Sequence, residues 1–326
     1  MTSFTSPSSP PDHRAHRSAM AALLTAFILS YLLAVIYSLL INPEVRFWKE
    51  AYKRKIDWAR ALTTNGRTKL VFIGGSSTAF QIDAAMLTEA GIPSVNMGMH
   101  AGMGIRATAA FGLSAVARGD TVIWSFDKDR LTKEPELDPL GYQALAATGV
   151  ILHSGPQQLA LQGIDPVNIL NALRPGLDHC AVMLAKVVLG HPLYRYKEKF
   201  IRAGGAITTD ERRPMPSTPF KQTFPNSSTL AWISAINNGL AEIDCPTAYL
   251  LQHSYVPPED AEAALEANRI YLERLRSIMT VVSDPAMGVQ TNIDSFADTP
   301  SHLRSNSMEK RTRDLLPLLK PLSKSP

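Results

Sequence analysis

At 326 residues, with 45% apolar and 19% charged composition, the chain is long enough for one large domain or two small ones and too apolar to be disordered. Cys180 and Cys245 lie far apart and outside any CxxC or Cys/His spacing, which excludes a zinc ribbon or CxxC redox site and leaves room for one disulfide. Net charge is +4, but 33 basic and 29 acidic residues are interspersed without an aromatic-interleaved basic stripe, so nucleic acid is not an expected partner.

Residues 1–18 are rich in Ser, Pro and His, cannot bury a core and read as a solvated, disordered tail. Residues 19–41 then run without a charge. As a helix they span roughly 34 Å, against about 30 Å of hydrocarbon, which predicts a transmembrane anchor in the lipid bilayer. The run is longer than a signal-peptide core, and no A-x-A-like cleavage site follows it. The flanking charges conflict with the chemistry below. Arg14 and Arg17 precede the span and Arg46, Lys49, Lys53, Arg54 and Lys55 follow it, so the positive-inside rule puts the body in the cytoplasm. That chemistry instead pulls the body towards the periplasm or cell exterior.

Residues 42–66 set Val45, Trp48, Ala51, Tyr52, Ile56, Ala59 and Leu62 on one helical stripe, predicting a juxtamembrane helix. Its aromatics suit either the bilayer interface or packing on the soluble domain. From residue 67 to about 322, apolar runs alternate with helical patterns. Strands are expected at 69–73, 93–97, 121–125 and 248–252, with a last one at 280–283, the first two closing in glycine-rich turns. Helices are expected at 105–117, 228–243 and 259–278. Residues 136–227 lack a strand signal and read as a helical insertion, a lid or membrane-proximal cap, with helical pieces at 156–162, 166–174 and 177–190. Leu315, Leu316, Leu318 and Leu319 form a closing apolar segment in which Pro317 argues against a regular helix. This alternation favours an α/β sandwich with a parallel sheet, whose ligand sites lie beyond the carboxyl ends of its strands.

Two constellations carry chemistry. Ser76 and Ser77 sit in a small-residue turn after the first strand, and Asp298-Thr-Pro-Ser-His302 lies near the C-terminus. A serine hydroxyl needs a base, and imidazole serves at neutral pH when a carboxylate fixes its tautomer. A serine at a strand-to-helix turn also lies beside backbone N–H groups able to hold an oxyanion. Nothing in this chemistry calls for a metal or organic cofactor.

Order and spacing resemble the SGNH (GDSL-like) hydrolases. Gly74-Gly75-Ser76 matches the nucleophile block with Gly75 in place of aspartate; Asn96-Met-Gly98 through Gly102 matches the second block; Asp298 and His302 match the last, four apart where three is usual. Together with Val71-Phe-Ile-Gly-Gly-Ser-Ser-Thr-Ala-Phe-Gln-Ile-Asp83 and Phe296-Ala-Asp-Thr-Pro-Ser-His-Leu303, this looks like a membrane-anchored bacterial branch of that superfamily, some relatives of which acylate cell-envelope polysaccharides. The resemblance implies a three-layer α/β/α, flavodoxin-like sandwich. It also implies Ser76 as nucleophile, His302 as base, Asp298 as its orienter, and N–H groups of Ser76 and Gly102 as the oxyanion hole. Ser77, His100, Asp127 and His253 fall where substrate contacts would be. Acyl esters or polysaccharide are the implied substrates, and envelope-biosynthesis proteins the implied partners.

The third family block, Gly-x-Asn-Asp, is absent, and Asp127 stands where its asparagine would donate. A carboxylate donates only when protonated. Two further readings therefore stay open: an SGNH-like scaffold without turnover, and a cytoplasm-facing nucleotide binder using the glycines of 98–104. The latter segment reads GxxxGxG rather than GxGxxG, and no GK[ST] occurs.

Overall fold

A computed structural model describes residues 13–214 and 222–323. Helix α1 (His13–Ile36) continues as a π-helical turn over Tyr37–Ile41, and α2 (Pro43–Thr64) follows, capped by the Asn42 side chain accepting from the Glu44 N–H at 3.1 Å. Residues 13–18, read as tail, are thus already helical; residues 1–12 of that tail lie outside the described residues. Among the described residues one helical stretch, His16–Ile41, is long and apolar enough to span a membrane, and residues 16–30 are exposed throughout.

The body then alternates: β1 (Leu70–Gly74), α3 (Ser76–Gln81), α4 (Ala84–Glu89), β2 (Ser94–Asn96), α5 (Ile105–Leu113) and β3 (Thr121–Ser125). Between β3 and the next strand come α6 (Lys128–Leu131), α7 (Pro139–Thr148), α8 (Gln158–Leu161), α9 (Pro166–Ala172), α10 (Leu177–Val188) and α11 (Ser227–Ala241). The chain ends through β4 (Thr247–Leu250), β5 (Ser254–Tyr255), α12 (Ala261–Arg276), β6 (Thr280–Val282), β7 (Val289–Gln290) and α13 (Ser305–Leu319). Five strands form one parallel sheet in the order β2-β1-β3-β4-β6.

Both faces of the sheet are covered, which explains why β1 and β3 read as continuous apolar runs rather than alternating ones. Val71, Ile73, Val122, Trp124 and Tyr249 pack one way, into a core with α2, α5, α7, α11 and α12. Leu70, Phe72, Ile123, Ala248 and Leu250 pack the other way, against α4 and α13. Helix α2 lies on the first face, with Trp48 and Ala51 fully buried. Lys55 on the same helix is also fully buried; burial lowers its ammonium to about 7, and Nζ donates to the carbonyls of Asn96, at 2.8 Å, and Gly205.

Several expectations need correction. Pro317 lies within the last turn of α13, where its missing N–H costs one intrahelical bond, to the carbonyl four residues back, and the closing segment is helical after all. The helical pieces expected at 105–117, 156–162, 166–174 and 177–190 are each shorter. The parallel pair β5–β7 gave no sequence signal, being two residues long on each side. No disulfide joins the cysteines: Cys180 is exposed on α10, while Cys245 is buried and donates to the Ala117 carbonyl at 3.2 Å.

Candidate active site

The first candidate residue stands where β1 turns into α3. A Cβ on Gly74 would lie 2.1 Å from the Ser125 carbonyl oxygen, so only glycine lets the end of β1 pass this close to β3. Gly75, the N-cap of α3, has an extended backbone and no side chain to occupy the first-turn N–H groups. Ser76 therefore starts α3 half-exposed, at the carboxyl edge of the sheet.

The second candidate segment is a tight hairpin. Phe296 and Leu303 form an antiparallel bridge, and the Ala297 N–H donates to the His302 carbonyl at 2.9 Å. Asp298 and His302 thus face each other across a three-residue turn, which accommodates their four-residue spacing. Neither belongs to a helix; α13 starts only at Ser305. His302 Nδ1 lies 2.8 Å from Asp298 Oδ1, and His302 Nε2 lies 3.0 Å from Ser76 Oγ. The Phe80 ring stacks on the imidazole at 4.1 Å and 18°, fixing its plane.

Asp298 has further partners that sequence reasoning missed. Tyr196 Oη donates to its Oδ2 at 2.8 Å, and Arg195 Nη1 donates to the same oxygen. Burial alone would raise this carboxyl, but the contacts from His302, Tyr196 and Arg195 outweigh it and hold it down to about 2. Asp298 is therefore ionised wherever the imidazole can act as base, and an ionised partner keeps the His302 proton on Nδ1 and its Nε2 lone pair toward Ser76. The hairpin is also tied to the core. Gln81 Nε2 donates to the carbonyls of His253 and Ser301, both at 2.7 Å. The fully buried Arg311, its guanidinium lowered to about 10 by burial, donates to Gln81 Oε1 and, at 2.7 Å, to the Leu251 carbonyl.

The remaining expected site residues are placed differently. Ser77 is fully buried and donates to Asp127 Oδ1. Asp127 Oδ2 would lie 2.7 Å from a Cβ on Gly75: the missing side chain at position 75 makes room for this carboxyl. Burial raises the Asp127 carboxyl, partly opposed by the Ser77 hydroxyl and by His302 and Arg130. The Gly102 N–H, expected to face an oxyanion, donates instead to His100 Nδ1 at 3.1 Å. His100 is lowered to about 4 by burial and by the nearby His302 and Arg130, so it is neutral at pH 7 and, with Nδ1 accepting, carries its proton on Nε2. His253 turns its Nε2 to Asp284 Oδ2 at 2.7 Å.

Beside the triad a cleft of about 530 Å³ opens between the ends of β3 and β4, lined in part by Asp127, Lys128, Arg130, Lys133, Gln252 and Ser301. Among the described residues, no cluster of His, Cys, Asp and Glu is arranged to hold a metal ion. Compared with known proteins, the chain matches no protein-family model, no curated protein and no solved structure.

Proposed function

We propose that this chain is a membrane-anchored serine esterase or O-acyltransferase of the SGNH-like type, acting on acyl esters of cell-envelope polysaccharide with its soluble domain in the periplasm or outside the cell. The observation that carries the proposal is the hydrogen-bonded chain from Ser76 through His302 to Asp298, closed across 226 residues of sequence. The strand order β2-β1-β3-β4-β6, with helices on both faces, supports a flavodoxin-like sandwich with its site at the carboxyl ends of the strands.

In this mechanism Ser76 Oγ attacks the acyl carbonyl as His302 Nε2 takes its proton. The tetrahedral oxyanion is held by the Ser76 N–H and a second donor. Collapse breaks the ester C–O bond, and the imidazolium returns the proton to the leaving alkoxide. Water or a sugar hydroxyl, deprotonated by the same imidazole, then attacks the acyl-serine; collapse breaks the Ser76 Oγ–acyl bond, the imidazolium returns the proton to Ser76 Oγ, and the acid or the transferred ester is released. The second donor is either Gly102, once its N–H leaves His100, or the Nε2–H of neutral His100. The charged and hydroxylic cleft suits a polar acceptor such as a sugar.

A fluorophosphonate probe tests the proposal: labelling of the folded wild type that Ser76→Ala abolishes supports it, and absence of labelling overturns it in favour of a scaffold. That second reading is favoured by one observation, the carboxyl of Asp127 against Gly75 where a neutral donor would be expected. A reporter fused to the C-terminus tests which side the body occupies. A cytoplasmic body would remove the envelope substrate and revive the nucleotide-binding reading.

A further inference from the structure

We propose that α10 is a second membrane element, lying in the lipid leaflet that adjoins the soluble domain without crossing it. This rests on reading α1 as a membrane span. The outward face of α10 is apolar: Val182, Leu184, Val187 and Val188 are exposed, Leu184 by 65% and Val188 by 74%, and Leu189 continues the surface. Past the exposed Asp178 of its first turn, the polar side chains His179 and Lys186 are turned the other way. His179, Met183 and Lys186, spaced on one helical stripe, form the half-buried face. Between Asp178 and Arg195 the only formal charge is Lys186, whose Nζ donates to the Leu193 carbonyl at 3.0 Å. A helix facing water has the opposite arrangement, and a contiguous apolar surface of this kind marks an interaction site.

The occupant follows from what α9 and α10 are fastened to. Tyr31 Oη donates to the Leu170 carbonyl on α9 at 2.7 Å, and Tyr37 Oη lies 3.2 Å from His179 Nε2 on α10. Both tyrosines belong to the apolar N-terminal helix, and Tyr31 precedes its end at Ile41 by roughly 15 Å of helical rise, about half a hydrocarbon core. The two helices are thus held alongside the stretch of anchor that one leaflet would surround. The exposed Leu33, Ile36 and Leu40 of that stretch continue the apolar surface. At 12 residues, or about 18 Å, α10 is too short to span but long enough to lie at the acyl boundary. Its C-terminal end leads through Leu193 into Tyr194, Arg195 and Tyr196. Insertion of α10 would therefore also seat the groups that hold Asp298.

The natural thiol of Cys180, exposed on α10, permits a test on the unsubstituted chain. The full chain is labelled there with an environment-sensitive fluorophore and reconstituted into vesicles of phosphatidylethanolamine and phosphatidylglycerol. Leu184→Cys, Leu29→Cys and Glu273→Cys, each with Cys180→Ser, place the same label further along α10, on α1 and on the water-facing side of α12. The expected result is loss of most emission at 180 and 184 with nitroxide-bearing lipid and shielding from aqueous iodide, matching position 29 and opposite to position 273. Iodide quenching at 184 while 29 reports lipid would overturn the proposal and leave the anchor intact. Shielding from both quenchers would also overturn it, showing that protein covers this face. Failure of position 29 to report lipid would remove the anchor reading on which the proposal rests.

Discussion

Two segments meet on Asp298 and His302, and they are supported in opposite ways. The hairpin 296–303 is held from within, by the Phe296–Leu303 bridge, the ring of Phe80 and the buried Gln81–Arg311 pair beneath it. The segment Tyr194–Arg195–Tyr196 is half-exposed, reaches the site from the end of α10, and is steadied mainly by aromatic contact with α2, where Trp48 Nε1 donates to Tyr194 Oη at 2.8 Å. The difference separates two tasks. The core fixes where the imidazole stands, and the insertion adds, behind His302, to the contacts that hold the carboxylate ionised.

The comparison breaks most decisively at Asp298 itself, where both supports converge. Asp298→Asn removes the charge that selects the imidazole tautomer, and the fluorophosphonate labelling rate is expected to fall by about 10³- to 10⁴-fold with little change in melting temperature beyond that of an altered buried bond. The inner support is broken by Arg311→Leu. It leaves the Leu251 carbonyl without its buried donor and Gln81 Oε1 with the His253 N–H alone, so urea unfolding should show a loss of about 2–4 kcal/mol together with slower labelling.

The outer support is broken by combining Tyr196→Phe with Arg195→Gln. Wild-type Asp298 is held near 2, below the reference near 3.9, so its contribution to stability is fully present above that reference and is lost as pH falls through about 2. Without those two partners the carboxyl rises. The stability lost between pH 5 and pH 2, followed by urea unfolding, should then be smaller than in the wild type, with a fall of roughly threefold to tenfold in labelling rate at neutral pH. The smallest effect sharpens the choice of nucleophile. Ser77→Ala removes one interior hydrogen bond to Asp127, and should cost about 1–2 kcal/mol in urea while leaving labelling within twofold.

The inner half of this arrangement was partly legible in the sequence. Apolar runs such as Leu-Val-Phe-Ile at 70–73, closed by Gly74-Gly75, announce a buried parallel strand and its turn, because a strand covered on both faces needs no polar alternation. The pairing of Ser76 with the Asp298/His302 segment came from family-like order. Gln81 and Arg311 left no comparable signal, since they read as ordinary polar positions of two helices until folding brings them within bonding distance across 230 residues. Arg195 and Tyr196 were equally silent inside a segment known only as an insertion. The same holds for Lys55, which counts as a membrane-flanking cation in the sequence yet is buried against the end of β2.

The one-dimensional chain thus determined what local chemistry dictates: an uncharged run long enough for a bilayer, strands bounded by glycine, and a hydroxyl, an imidazole and a carboxylate at recognisable spacings. Tertiary structure decided which N–H, carboxyl and guanidinium groups face the same point, and which side of α10 looks outward. Periodicity records that a helix has an apolar face but not what lies against it; contact between residues a hundred or more positions apart depends on how the sheet and its covering helices pack.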